Sequence, residues 1–211
     1  MDRNKQIDTF NGFSQVSRET IISLVKYENM LIRANNELNL IGKSTEKEIW
    51  HRHFLDSFQV IDFISKNEKT LIDLGSGAGF PGLIIGIAAQ DRKIPNKIKL
   101  IEKSPKKVIF LNKIIDELNL KIEVIEKNVF QSSEKFIADV FVARAFKPLS
   151  KILELIHSNA KNWKKIIIFM GKTSDQEILH ASKNWNIQYK QSVSVTSSDS
   201  KIIEIKSIEK K

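Results

Sequence analysis

The sequence predicts an α/β fold: a mostly parallel sheet with helices on both faces, an antiparallel hairpin at its C-terminal end, and two helices in front. Three observations predict it. Five short apolar runs between residues 70 and 170 alternate with helix-length segments of apolar periodicity, the mark of βαβ units. Two further runs, 187–196 and 201–208, flank Ser197-Ser198-Asp199-Ser200 and read as a hairpin. The chain has 211 residues, 41% apolar and 28% charged, which suits one globular domain with a short appendage and argues against disorder.

The elements follow in order. Ile21, Ile22, Leu24, Val25, Met30, Leu31 and Ile32 recur at helical spacing over 18–36, and Asn35-Asn36 ends that helix. A second helix is expected over 46–64, carried by Ile49, Trp50, Phe54, Phe58, Ile61 and Phe63, with Ser44 and Thr45 as N-cap candidates. The polar stretch 65–69 then separates a helical extension, residues 1–69, from the sheet domain, residues 70–211. Strands are expected at 70–74, 97–101, 121–125, 138–143 and 165–170.

Composition excludes several classes. No cysteine means no disulfide scaffold, no thiolate zinc site and no cysteine nucleophile. No stretch approaches the roughly 20 apolar residues of a membrane span, and the start, MDRNKQIDTF, has no apolar signal core, so a cytoplasmic location without membrane attachment is expected. The net charge of +9 raises an anionic partner. Residues 1–69 hold ten basic and ten acidic side chains, whereas residues 70–211 hold 24 and 15, so the whole excess belongs to the sheet domain. Lysine outnumbers arginine 28 to 6 beside 32 isoleucines, so part of that charge is compositional bias.

In such sheets ligands bind beyond the carboxyl ends of the strands, where strand order reverses. After the first strand comes Asp73-Leu74-Gly75-Ser76-Gly77-Ala78-Gly79-Phe80-Pro81-Gly82, a ligand loop in which Gly75, Gly77 and Gly79 permit close backbone approach. Gly77, Gly79 and Gly82 formally satisfy G-x-G-x-x-G, so an NAD-dependent oxidoreductase is one reading. Asp73 opposes it, because a carboxylate beside a diphosphate is unfavourable, and suits the sulfonium and amino group of S-adenosylmethionine. Glu102, 20 positions beyond Gly82, can accept from ribose hydroxyls of any adenosine nucleoside. Ser104-Pro105 starts the next helix, with Ser104 the cap candidate. Val129 and Phe130 follow the third strand at the level of an adenine. Arg144 follows the fourth, where the transferred group belongs. His51 and His53, two apart, point in different directions and form no metal pair, and no metal is expected. His53 and Asp56 can share a helix face, as a stabilising pair or at the site edge. Lys172 is either a phosphate contact or a solvated lysine.

These residues resemble a known family. DLGSGAGFPG (residues 73–82), EKSPKKVIFL (102–111), ARAF (143–146) and, upstream, Leu38-Asn39-Leu40 with RHFLDS (52–57) are similar, in collinear order, to the RsmG (GidB) family of bacterial 16S rRNA guanine-N7 methyltransferases. The resemblance covers roughly residues 20–208. It implies a class I SAM-dependent methyltransferase fold, cofactor contacts at Gly75, Phe80, Val129, Phe130 and Arg144, and 16S rRNA in a small-subunit particle as substrate for a monomeric enzyme. Arg144 is the expected catalytic residue, and Asp73, Gly77, Gly79 and Glu102 complete the expected cofactor site. The chemistry agrees with this reading. C5 methylation of a pyrimidine needs a cysteine, and Ala143-Arg144-Ala145-Phe146 is not the Asn/Asp-Pro-Pro-aromatic pattern of exocyclic amine methylation. Guanine N7 offers an in-plane lone pair and no proton, so no base is required. A non-catalytic RNA-binding assembly factor on the same fold is the remaining alternative.

Overall fold

The computed structural model describes residues 2–92 and 97–211. Seven strands form one sheet: β1 (Thr70–Leu74), β2 (Lys97–Glu102), β3 (Ile122–Glu126), β4 (Val140–Arg144), β5 (Lys165–Met170), β6 (Trp185–Ser194) and β7 (Ser197–Lys210). Their order is β3-β2-β1-β4-β5-β7-β6. β1 to β5 run parallel, whereas β7 is antiparallel to β5 and to β6. The order reverses at β1, flanked by β2 on one side and β4 on the other, so the ligand crevice lies beyond the carboxyl end of β1.

Successive strand residues face opposite sides, and both sides are buried. Leu71, Val140, Val142 and Ile167 join one apolar cluster, and Ile72, Phe141, Ala143 and Ile168 join the other. The first cluster also holds Tyr27, Leu31, Trp50, Phe54 and Phe58, so the helical residues before β1 bury their apolar face in the same core as α3 (Gly82–Arg92) and α4 (Pro105–Glu117). The second is covered by α5 (Leu149–Asn159) and α6 (Ser174–Ala181).

Three elements differ from the sequence expectation. A helix, α1 (Arg3–Ser14), precedes α2 (Arg18–Leu38). It carries little apolar periodicity because its buried face is only Gln6, Phe10 and Ser14. Tertiary bonds hold it: Gln6 Nε2 donates to the Lys47 carbonyl (2.9 Å), and Arg3 pairs with buried Glu28 (2.6 Å). The expected regular helix over 46–64 is instead a succession of 3₁₀ (Lys43–Glu48), π (Trp50–Leu55), α (Asp56–Phe58) and 3₁₀ (Gln59–Phe63) turns, and neither Ser44 nor Thr45 caps it. Two demands on this segment explain the irregularity: Trp50, Phe54 and Phe58 pack among Phe10, Tyr27 and Phe80, while His53 and Asp56 both bond Arg144. Finally, the hairpin turns at Val195-Thr196, with Ser194 paired to Ser197, and not at 197–200. Contacts to Asp56 and Gln59 fix the turn there.

Candidate active site

The glycine loop leaves β1 with three residues at positive φ: Gly75 (72°), Gly77 (59°) and Gly79 (103°). A Cβ on Gly75 would lie 2.1 Å from the Phe146 ring, whereas one on Gly77 would meet nothing closer than the Gly75 carbonyl at 3.8 Å. Gly75 is therefore fixed by packing, and Gly77 faces open space. The loop is braced from behind. The Tyr27 hydroxyl, fully buried on α2, donates to the Ala78 carbonyl. Asp73 is also fully buried and accepts the Gly82 N–H on Oδ2 at 2.9 Å. Its Oδ1 has no partner among the described residues, and burial pushes the carboxyl up to about 7.

Glu102 ends β2. Its Oε1 accepts the N–H groups of Lys103 and Ser104, and its Oε2 accepts that of Gly77, all at 2.9 Å. One carboxylate thus ties the strand tip to the glycine loop. Ser104 makes no side-chain capping bond, while Pro105 opens α4 as expected.

Arg144 ends β4, and its guanidinium has three acceptors. Nε donates to Asp56 Oδ2 (2.8 Å), Nη1 to His53 Nδ1 (3.2 Å) and Nη2 to the Arg52 carbonyl (2.7 Å). His53 lies flat on Phe80, ring centroids 5.0 Å apart. Burial, then the charges of Arg144 and Arg52, lowers this imidazole to about 3, so it is neutral. Its tautomer follows from its neighbour: Thr45 has a single hydroxyl proton, which it donates to the Gly42 carbonyl (2.9 Å), so it accepts from His53 Nε2–H (2.9 Å). Nδ1 is then free to accept from Arg144. Asp56 is also saturated, its Oδ1 accepting from Gln59 Nε2 (2.9 Å), Ser194 Oγ (3.0 Å) and Thr196 Oγ1 (2.9 Å).

These groups surround one cavity of about 1000 Å³ at the carboxyl ends of the strands. Gly75, Gly77, Phe80, Glu102, Val129, Phe130 and Arg144 line it. Asp73 and Gly79 do not: Asp73 braces the loop through Gly82, and Gly79 packs on Leu83 and Tyr27. Val129 is buried and half-exposed Phe130 stacks on Phe146, so these two form an apolar wall. Lys172 is exposed and pairs with Asp199 (3.1 Å); neither lines the cavity, although their neighbours Gly171 and Ser200 do. Sequence reasoning misses Ser194 and Thr196, which lie 50 and more positions from Arg144 and carry no motif. Of the two readings the sequence offers for His53 and Asp56, a helix pair or a place at the site edge, the geometry favours the second: both line the cavity and bond Arg144, and they do not bond each other. The cavity's lining includes six lysines and two arginines, Arg52 among them, against the carboxylates of Asp56 and Glu102.

Residues 20–206 match the GidB family, described as rRNA small subunit methyltransferase G. The chain belongs to this family. Its relatives include the ribosomal RNA small subunit methyltransferase G of Pelagibacter ubique (strain HTCC1062), 40% identical over 198 residues, 93% of this chain and 92% of the relative. That of Rickettsia prowazekii (strain Madrid E) is 35% identical over 198 residues, 93% and 98%. Among solved structures, a ribosomal protein L11 methylase from Lactobacillus delbrueckii subsp. bulgaricus superposes with TM-score 0.55 at 14% identity, covering 74% of this chain and 77% of that one. TrmK of M. capricolum bound to S-adenosyl-homocysteine gives 0.53 at 19%, covering 71% and 66%. The fold is that of class I SAM-dependent methyltransferases. No helix among the described residues is long and apolar enough to cross a membrane.

Proposed function

We propose that this chain transfers a methyl group from S-adenosylmethionine to N7 of a guanine in 16S rRNA, on a small-subunit particle, as a cytoplasmic monomer. The cofactor fits the residues present. The cavity is of ligand size, Gly77 faces it without a side chain, and Val129 and Phe130 offer apolar surface for a ring. Glu102 Oε2 accepts one N–H and so keeps a second acceptor position for a ribose hydroxyl. When bound, the cofactor supplies an electrophilic methyl carbon on its sulfonium.

One observation carries the choice of acceptor: on the β4 side of β1 no histidine or carboxylate lining the cavity among the described residues is free to take a proton. His53 has both ring nitrogens engaged, and both Asp56 oxygens are engaged. Glu102 stands on the β2 side, across β1 from Arg144. An acceptor that must be deprotonated is poorly served by such a site. Guanine N7 is well served, because its lone pair forms the new N–C bond while the C–S bond breaks, and no proton leaves. What remains for the protein is alignment and exclusion of water. Arg144 has five N–H groups and three are engaged, so two are available for guanine O6 or for the cofactor carboxylate. The test uses tritiated S-adenosylmethionine and small subunits from a strain lacking the enzyme, followed by mapping of the label. Label in N7-methylguanosine of 16S rRNA is expected; label in another nucleoside, or none, refutes the proposal.

A further inference from the structure

The Arg144 guanidinium is built into a chain of hydrogen bonds with one direction. Arg144 Nη1 donates to His53 Nδ1, His53 Nε2 donates to Thr45 Oγ1, and Thr45 donates to the Gly42 carbonyl. Arg144 has no acceptor of its own, so the chain must run outward from it, and it can do so only through an imidazole that is neutral and protonated on Nε2. Leu40, Ile41, Gly42, His53 and Arg144 all line the cavity, so the same chain ties the segment before the π turn to the end of β4. We propose that His53 is a positioning residue for methyl transfer: its Nδ1 lone pair orients Arg144, and Thr45 holds it in the tautomer that makes this possible. This rests on the methyltransferase reading given above.

The alternative roles for His53 fit less well. It cannot be the general base, because both nitrogens are engaged. Nor does it pair with Asp56, whose oxygens go to Arg144, Gln59, Ser194 and Thr196. The charged groups around the ring are Arg144 on β4, Arg52 beside it and Asp56 one turn on; Phe80 covers one face and Thr45 the far nitrogen. Protonation would place a third positive charge against Arg144 and Arg52 and break the hydrogen bond at Nδ1, where two N–H donors would then face each other. The depression of the imidazole to about 3 matches this arrangement.

Three variants and two readouts test the inference. His53→Phe keeps the flat ring on Phe80 and removes the acceptor; His53→Asn restores an oxygen acceptor near Nδ1; Thr45→Val leaves the imidazole and removes what fixes its tautomer. Turnover at saturating S-adenosylmethionine and small subunits should fall roughly 10- to 100-fold in His53→Phe, the range for a lost charge-assisted bond, and recover in part in His53→Asn. In Thr45→Val, nitrogen NMR should show a mixture of ring tautomers where the wild type shows Nε2–H alone, with turnover reduced several-fold. Full turnover in His53→Phe with impairment only in His53→Asn would make the role one of packing and overturn the inference, as would the absence of any recovery in His53→Asn or a wild-type tautomer with the proton on Nδ1. Should His53→Phe fail to fold, Thr45→Val decides: unchanged tautomer and turnover would refute the claim. The two readings separate on the wild type. Absence of methyl transfer by wild-type protein defeats the methyltransferase reading, while the tautomer measurement stands without any activity.

Discussion

At the residue scale, Gly75 and Gly77 look equivalent in sequence and are not. Alanine at Gly75 meets the Phe146 ring at 2.1 Å as well as an unfavourable φ, so Gly75→Ala should lower both the unfolding midpoint and cofactor affinity. Gly77→Ala adds strain without a clash and projects into the cavity, so affinity should fall more than stability. Calorimetry with S-adenosylmethionine beside urea melts checks the contrast; equal stability losses would contradict it. Two buried titratable groups give a second prediction. Asp73 holds its proton to about pH 7 when folded but only to about 3.8 when unfolded, so between these values the native state binds the extra proton and stability falls as pH rises. His53 does the reverse: unfolded it is protonated below about 6.5, folded only below about 3, so stability rises with pH in that window. Each slope is about 1.4 kcal/mol per pH unit at most, and between about pH 4 and 6.5 they oppose one another. The wild type should be nearly flat there with respect to this pair. Asp73→Asn should become more stable as pH rises from 4.5 to 6.5, and His53→Asn less stable. Denaturant midpoints read both slopes, and parallel curves for wild type and Asp73→Asn would show that Asp73 is ionised throughout.

At the element scale, the helices before β1 act on the site through few bonds, and these were the least legible from sequence. The β strands stand out as apolar runs buried on both faces, and their ends locate Gly75, Glu102 and Arg144. The segment 43–63 does not stand out, because its aromatic spacing is helical while its backbone follows two partners, the core below and Arg144 beside it. The bonds from Ser194 and Thr196 to Asp56 join positions 138 and 140 residues apart, which no local pattern records. α2 contributes a directed contact to the glycine loop, from Tyr27 to the Ala78 carbonyl. Burial raises the phenol well above its ordinary range, so it remains a donor at any physiological pH. Tyr27→Phe keeps the ring against Phe54 and Phe80 and leaves a carbonyl of the glycine loop without its donor. A stability loss of about 1–3 kcal/mol is expected from the unsatisfied group, together with weaker cofactor binding. Wild-type affinity in Tyr27→Phe would show that the loop holds its shape without α2.

At the scale of the whole molecule, sheet order and charge converge on one face. The strand reversal at β1 opens the cavity at the carboxyl ends, and the cationic excess of residues 70–211 supplies the six lysines in its lining. Three of these are neutralised locally: Lys127 by Glu134, Lys151 by Glu154 and Lys201 by Asp175. Lys103, Lys107 and Lys147 make no ion pair with a described residue, and each follows a strand end or opens the next helix, where β2 and β4 deliver the chain to the mouth. The total charge of the sequence could not separate these from lysines scattered by composition; their position beside the cavity does. If the three contact rRNA phosphates, binding releases about three counterions, and the affinity for small subunits should fall roughly 30- to 50-fold between 50 and 200 mM salt. S-adenosylmethionine affinity should change much less over that range, since the contacts proposed for it are mostly backbone, Glu102 and apolar walls inside the cavity. Lys103→Gln, Lys107→Gln and Lys147→Gln together should flatten the salt dependence of substrate binding and leave cofactor binding as it is. Filter binding of small subunits, with calorimetry for the cofactor on the same preparations, compares the slopes. An unchanged salt slope in the triple variant would show that the substrate's phosphates are met elsewhere on the surface.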